Sequence, residues 1–89
     1  MDEELFELEI VSPEKIIFNG EVEWVMLPGA KAPFTVLYNH APLLSTLCAG
    51  EIKWKKGRDK QTMVIKSGFV EVKENKVTAL VEVDFEGER

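Results

Sequence analysis

The sequence predicts an all-β fold: a flattened, mostly antiparallel β-sandwich of about eight to ten short strands, with no substantial helix. Apolar and polar residues alternate in short runs, and turn signals recur about every 8 to 12 residues. No long segment has the apolar period of an amphipathic helix. Two sheets packed face to face would bury the alternating apolar residues between them.

Length and composition predict one globular domain without nucleic-acid contacts. The 89 residues are expected to form a single domain, 1–89, with a polar tail at 86–89. Apolar residues make up 45% of the chain and charged residues 30%, which is typical of a folded soluble domain. The net charge of −5 argues against nucleic acid as a partner, because phosphate binding needs clustered Lys and Arg.

The same composition argues against secretion and membrane insertion. The one cysteine, Cys48, cannot form an internal disulfide, and its apolar neighbours predict a small buried side chain. No apolar run approaches the ~20 residues that cross a bilayer. The acidic start of the chain does not resemble a signal peptide. We therefore expect a cytoplasmic protein that reaches a membrane only through a partner.

Strands and one hairpin are predicted before residue 28. Residues 6–11 alternate as a half-buried strand. Asn19-Gly20 predicts a type I′ turn between strands at residues 16–18 and 21–27, because both turn positions need positive φ. In the second of these strands one face is assigned to the core and the other lies opposite it. The core face holds Val22, Trp24 and Met26, and the opposite face holds Val25 and Leu27.

The stretch from Met26 to Glu51 holds most of the unusual residues, including three of the four prolines and the single histidine, cysteine and tyrosine. Pro28-Gly29 predicts a type II turn, since proline fixes φ and glycine accepts the positive φ that follows. Pro33 and Pro42 disfavour regular structure around them. Two ordered loops, 28–33 and 38–42, are therefore expected on either side of a short strand at 34–37.

The second half of the chain predicts further alternating strands. Turns are expected at Ala49-Gly50, 57–60, Ser67-Gly68 and 74–76. The strands between them are residues 43–48, 51–55, 61–66, 69–73 and 77–85, the last with Val77, Ala79, Val81, Val83 and Phe85 on one face. The lysines and arginine at 53–60 are interpreted as a solvated hairpin tip. Val25, Leu27, Phe69 and Leu80 lie opposite the expected core, and an uncovered apolar face of this kind indicates a surface for a protein partner.

No catalytic, metal or cofactor site is predicted. The chain has no glycine-rich phosphate loop, and one histidine with one cysteine cannot complete a zinc site. A nucleophilic pair of His40 and Cys48 lacks a third group to orient it, so a small hydrolase is the weakest hypothesis. The strand glutamates alternate with apolar residues, as on a solvated face. No small-molecule ligand is expected.

Several motifs together resemble a known family. They are L-P-G at 27–29, H-A-P-L-L-S at 40–45, S-G-F-V-E-V at 67–72, Asn75, and V-T-A-L at 77–80. Their order and spacing resemble the N-terminal domain of the epsilon subunit of F-type ATP synthase, called delta in mitochondria. Two places depart from that pattern. Residues 30–33 read A-K-A-P where an acidic, glycine-rich loop is common, and Tyr38-Asn39 replaces the usual Pro-Gly.

The resemblance implies a β-sandwich that is a non-catalytic rotor subunit of the central stalk. It implies two partners, the gamma subunit and the ring of c subunits, in a proton-translocating ATP synthase on the cytoplasmic face of a bacterial plasma membrane. The ring-facing residues it implies are Gly29, Ala30, Lys31, Ala32, Pro33, Tyr38, Asn39, His40, Ala41 and Pro42. The gamma-facing residues it implies are Val25, Leu27, Leu43, Phe69 and Leu80.

Longer members of this family continue into a C-terminal helical hairpin, so the chain is either a natural short form without the hairpin or a piece of a longer protein. The initial Met1 and the charged ending at Arg89 favour the short form. Lys31 is a cation in a loop where relatives often carry an acid, so its partner in the ring is expected to differ in charge. An alternative function is a stand-alone carbohydrate- or peptide-binding sandwich that uses Trp24, Trp54 and Tyr38 as a stacking surface.

Overall fold

The computed structural model describes residues 4–84, which form nine strands in two packed sheets and contain no helix. This confirms the predicted all-β sandwich, and within these residues no helix could cross a membrane. The strands are β1 Phe6–Val11, β2 Ile16–Val22, β3 Trp24–Leu27, β4 Phe34–Val36, β5 Leu43–Leu47, β6 Gly50–Lys56, β7 Asp59–Ile65, β8 Ser67–Lys73 and β9 Lys76–Glu82. Residues 86–89, the predicted polar tail, and Phe85 lie outside the described residues.

The five-stranded sheet has the order β2-β1-β9-β8-β5, and the four-stranded sheet has the order β4-β3-β6-β7. Neighbouring strands are antiparallel except β1 and β9, which run parallel. Alternate residues of both sheets form a single apolar core. Complete burial of the apolar residues Leu8, Ile52, Val70, Val77 and Ala79 confirms the alternation that the sequence predicts for β1, β6, β8 and β9.

The predicted hairpin turn at Asn19-Gly20 is wrong. Both residues lie inside β2, where Asn19 pairs with Glu9 and Gly20 pairs with Leu8, and neither has positive φ. A Cβ at Gly20 would lie 3.1 Å from the ring of Phe18, so the glycine leaves room for that ring. The chain reverses earlier, at residues 12–15, where the Ser12 amide donates to the Lys15 carbonyl at 2.9 Å.

The predicted facing of residues 21–27 is also wrong after Val22. The chain bends at Glu23 and passes from the five-stranded to the four-stranded sheet, so the inward residues change from Val22 to Val25 and Leu27. Val25 and Leu27 are fully buried, whereas Met26 is exposed. Side chains alternate between the two faces of a sheet only within one strand, so the bend changes which residues face the core.

Glu23 is tied to the β6–β7 hairpin by both its backbone and its carboxylate. Its amide donates to the Lys55 carbonyl at 2.7 Å, and its carboxylate accepts from the Gly57 amide at 3.0 Å. The Lys55 ammonium lies 3.5 Å from the same carboxylate. The bend between the two sheets is therefore fixed by the strand that it turns toward.

Two tight hairpins shape the second half of the chain. Gly57 has φ 61° at the first position of the two-residue turn between β6 and β7, as type II′ turns require. Glu74 and Asn75 both have positive φ in the β8–β9 turn, which makes it the type I′ turn of this fold. The predicted break at Ser67-Gly68 is wrong, because β8 begins at Ser67 and the bend lies at Lys66.

Trp54 is the largest side chain of the core. Its ring lies 4.9 Å from that of Phe18, centroid to centroid, and only 6% of the residue is exposed. Its indole nitrogen is buried without a hydrogen-bond partner among residues 4–84. The residue therefore stabilises the sandwich through apolar and aromatic contact, while its one polar atom opposes burial.

Replacing Trp54 by Ala should lower the free energy of unfolding by about 3–5 kcal/mol, because a large cavity would remain beside Phe18. Trp54→Phe should cost only about 1.5 kcal/mol or less, since it removes the unpaired donor and keeps an aromatic ring. Urea denaturation followed by circular dichroism measures both. Equal losses in the two variants would contradict this role of Trp54.

Candidate partner-binding surfaces

The backbone at Pro28-Gly29 makes a tighter turn than the sequence predicts. The Gly29 amide donates to the Leu27 carbonyl at 3.0 Å, which makes a γ-turn centred on Pro28. The predicted type II turn is wrong, because Gly29 does not have positive φ. The glycine is needed for space instead. A Cβ at Gly29 would lie 2.6 Å from the Ala32 carbonyl oxygen and 2.9 Å from the Phe34 ring.

This turn joins the two sheets at one edge of the sandwich. Gly29 forms a bridge with Leu47 at the end of β5. The Ala30 amide donates to the Thr46 carbonyl at 3.0 Å, and the Cys48 amide donates to the Pro28 carbonyl at 2.9 Å. Loop 28–33 is therefore hydrogen-bonded to β5 at its start, although β3 and β5 belong to different sheets.

The second loop, 38–42, begins with a four-residue turn. The His40 amide donates to the Leu37 carbonyl at 3.1 Å, and Asn39 has φ 66° at the third position. Asparagine accepts this left-handed conformation better than other non-glycine residues do. The Asn39 amide donates to Asn75 Oδ1 at 2.6 Å, and Asn75 Nδ2 donates back to Asn39 Oδ1 at 3.1 Å. The loop is thereby fastened to the β8–β9 turn.

His40 and the first loop line one open groove beside β5, with a volume of about 720 Å³. We call it the β5 groove; its lining residues are Gly29, Ala30, Lys31, Ala32, Pro33, Phe34, His40, Leu43, Leu44, Ser45 and Thr46. The His40 ring Nδ1 lies 2.7 Å from the Ala41 carbonyl oxygen. The structure thus brings His40 together with loop 28–33, whereas Asn39 is held toward Asn75.

Most residues that the sequence assigns to these loops are exposed, Ala30 to Pro33 and Tyr38 to Asn39 among them, and Gly29 is buried. Lys31 lies at the groove as an exposed cation. The two loops stand at opposite ends of β4, whose three residues span only ~10 Å. A partner of ordinary size could contact both loops at once.

The prediction that the Cys48 side chain is buried is wrong. It is exposed, and its Sγ lies 3.5 Å from the Pro28 carbonyl oxygen, which makes it a weak donor to the turn. Cys48 comes directly after the end of β5, whose last residue, Leu47, faces the core. Within residues 4–84, no three His, Cys, Asp or Glu side chains are grouped so that they could hold a metal ion.

The apolar residues assigned to the gamma subunit separate into two groups. Val25 and Leu27 are fully buried in the core, so their assignment to an exposed face is wrong. The bend at Glu23 turns these two side chains inward. Phe69 is 40% exposed and Leu80 is 53% exposed on the outer face of the five-stranded sheet. Leu43 is half-buried and lines the β5 groove.

Sequence reasoning missed two neighbours of Phe69 and Leu80. Leu80 pairs with Phe69 on one side and with Val11 on the other, and Val11 pairs with Ile16. Ile16 is 60% exposed. We call these four residues the outer apolar row: Ile16, Val11, Leu80 and Phe69. The sequence signal that could have found Val11 and Ile16 is an apolar residue at an outward position of each strand. The pairing of β1 with β9, which aligns these residues with Leu80 and Phe69, cannot be predicted from the sequence.

Three of these residues, Val11, Leu80 and Phe69, line one shallow groove together with Pro13. Its walls are mainly apolar, and its volume is about 400 Å³. A contiguous exposed apolar surface on a small domain indicates a place where another protein binds. The three aromatic residues of the alternative function, by contrast, form no common stacking surface: Trp54 is buried against Phe18, Trp24 is half-buried in β3, and Tyr38 lies in a loop.

The sequence profile described as "ATP synthase, Delta/Epsilon chain, beta-sandwich domain" matches residues 5–86. The chain belongs to this family. It is 37% identical over 89 residues to the ATP synthase epsilon chain of Leptospira borgpetersenii, covering 92% of this chain and 70% of that protein. It is 40% identical over 84 residues to the epsilon chain of Desulfitobacterium hafniense, covering 94% of this chain and 64% of that protein.

Other epsilon chains are matched over less of their length. The alignment with that of Leptospira interrogans spans 59% of the relative at 39% identity. Two solved structures share the fold of this chain. They are a chain of the Euglena gracilis mitochondrial ATP synthase OSCP/F1/c-ring, with a TM-score of 0.82 at 20% identity, and one of the Tetrahymena thermophila central stalk/c-ring, with 0.73 at 15%. This chain covers 59% and 62% of those chains.

Asn39→Ala should lower the free energy of unfolding by about 2 kcal/mol, because alanine is strained at positive φ and the bond from Asn75 is lost. Asn39→Gly should cost only about 1 kcal/mol, since glycine accepts this φ. Asn19→Ala, at an exposed strand position, is the control and should change stability by no more than about 0.5 kcal/mol. Urea denaturation measures all three, and equal losses for the alanine and glycine variants of Asn39 would contradict strain as the cause.

Proposed function

We propose that this chain is a non-catalytic rotor subunit of an F-type ATP synthase, placed between the gamma subunit and the ring of c subunits in the central stalk. In this role it binds gamma through the outer apolar row and meets the ring through loops 28–33 and 38–42. Rotation coupled to proton flow then passes between ring and gamma for ATP synthesis. The chain would join the membrane peripherally, at the cytoplasmic face in a bacterium.

One observation carries the gamma contact: Phe69 and Leu80 are large apolar side chains that stay exposed next to each other on a regular sheet. Removing such side chains from water on binding would stabilise a complex by about 25 cal/mol for each Å² of apolar surface buried. The strands that carry these two residues, β8 and β9, are central strands of the sheet, so each is hydrogen-bonded to a neighbouring strand on both sides. The surface is therefore pre-organised, which lowers the entropic cost of association.

The loops suit contact with a second partner because their backbones are fixed. Loop 28–33 is bonded to β5, and loop 38–42 is bonded to Asn75. The β5 groove beside them offers exposed side chains on a rigid support. A torque-bearing contact needs such rigidity, since flexible loops would yield before they transmitted force.

A double variant of the outer apolar row tests the gamma contact. Phe69→Ser with Leu80→Ser should weaken binding of the gamma subunit from the same organism by at least about tenfold, because two central apolar contacts are lost. Val64→Ser, on the outer face of the other sheet and 67% exposed, is the matched control and should bind as the wild type does. Size-exclusion chromatography with light scattering gives the stoichiometry, and calorimetry gives the affinity.

A one-to-one complex that only the double variant loses would support the proposal. Failure of the wild-type chain to bind gamma at micromolar concentrations would contradict it. Thermal unfolding of each variant, measured beside the binding, separates a lost contact from a lost fold.

Lys31 tests the ring contact. Its position in loop 28–33 is exposed and lies at the β5 groove, so its charge faces any partner bound there. Lys31→Glu should reduce the amount of this chain that copurifies with the assembled synthase at low salt, and Lys60→Glu, on the β7 strand, should not. Equal retention of both variants would argue against a charged contact at Lys31.

A further inference from the structure

Carboxylates border the outer apolar row on both sides. Strand pairing places Glu9, Thr78 and Glu71 in the row next to it on one side. On the other side, Glu82 lies opposite Ser67. Each bordering residue is two positions along its strand from a member of the outer apolar row, a distance of ~7 Å. The apolar surface is therefore flanked by negative charge in both strand directions.

The lysines within the strands of this sheet do not reach the same border, and Lys15, which directly precedes Ile16, lines a separate groove. The strand lysines are Lys73 and Lys76, which pair with each other one row farther from the outer apolar row than Glu71 and Glu9. Lys66, just before β8, lines the same separate groove as Lys15. The Lys76 ammonium lies 3.8 Å from the Glu9 carboxylate and partly compensates it. Glu71 is exposed and has no ion pair or hydrogen bond of its side chain among residues 4–84, so its charge is available to a partner.

The outer face of the four-stranded sheet carries mainly positive charge, unlike the border of the outer apolar row. Lys53, Lys55 and Lys60 lie there, and Glu51 and Glu23 compensate the first two. A partner with apolar and basic residues would therefore be attracted to one face of the sandwich and repelled by uncompensated charge on the other. The charge distribution distinguishes two faces that both expose apolar side chains, since Met26 and Val64 are exposed on the four-stranded sheet.

We infer that the partner of the outer apolar row is a protein surface whose apolar side chains are bordered on both sides by Lys or Arg. The inference rests on the proposed function, in which this partner belongs to the gamma subunit. The apolar residues supply the affinity, whereas the bordering carboxylates select the face and accelerate encounter, because charges at the rim of an interface act mainly on the association rate.

The test compares association of the chain with the immobilised gamma subunit by surface plasmon resonance. Glu71→Gln with Glu82→Gln removes both charges, and the amide introduced by Glu82→Gln keeps an oxygen that can accept from Ser67 Oγ, as the Glu82 carboxylate does at 3.1 Å. The association rate should fall roughly fivefold at about 0.1 M salt and should equal that of the wild type at about 1 M, where screening acts within ~3 Å. Glu51→Gln with Asp59→Asn removes two charges from the other sheet, is the matched control, and should associate as the wild type does.

The outcomes separate the two claims. If wild type and double variant bind gamma at the same rate at both salt concentrations, the inference is overturned and the proposed function stands. Faster association of a variant that carries Glu71→Lys and Glu82→Lys would also overturn it, because the partner would then be acidic at the rim. If the wild type does not bind gamma at all, the proposed function fails and this inference fails with it.

Discussion

The position of loop 28–33, which is proposed to meet the c-ring, depends on the backbone hydrogen bonds between residues 28–30 and the end of β5. They join the two sheets at the place where the chain also passes from β5 to β6. Because the Pro28 carbonyl and the Ala30 amide are both paired, the loop leaves the core in a fixed direction. Gly29 permits this approach, since any larger residue would contact the Ala32 carbonyl. A small domain thus holds an exposed loop rigid through backbone hydrogen bonds and close packing.

A second constraint fixes the outer apolar row. The five-stranded sheet has β1, β9 and β8 at its centre, so this row is built mainly on strands whose backbone groups are paired on both sides. The inner residues of the same strands form the core, and their burial holds the outer ones in place. The domain therefore offers two rigid surfaces, one of apolar side chains on a sheet and one of loops at an edge. That combination suits a subunit held between two partners that must move together.

Alternation within single strands made most of the fold predictable from sequence. Leu8, Ile52 and Val70 are buried as their patterns predict, and Glu74-Asn75 reverses the chain where a turn was expected. The errors came where local signals compete with tertiary structure. Asn19-Gly20 is a strong turn signal, yet pairing with β1 and the space needed by the ring of residue 18 keep it extended. At Glu23 the chain changes sheets, and no local pattern marks the one-residue change in facing.

The candidate surfaces were predictable only in part for the same reason. Phe69 and Leu80 stand at outward positions of their own strands, so local alternation found them. Val11 joins them through the parallel pairing of β1 with β9, which connects residues far apart in the chain. Asn39 and Asn75 likewise become partners only when the sandwich closes.

The most direct test of the central claim is a titration of the isotopically labelled chain with the gamma subunit, followed by NMR of backbone amides. We expect the largest changes to cluster at Val11, Phe69 and Leu80 on the five-stranded sheet, while Met26 and Val64 on the other sheet keep their signals. Changes confined to the four-stranded sheet, or spread evenly over both, would contradict the assignment of the outer apolar row as the gamma-binding surface.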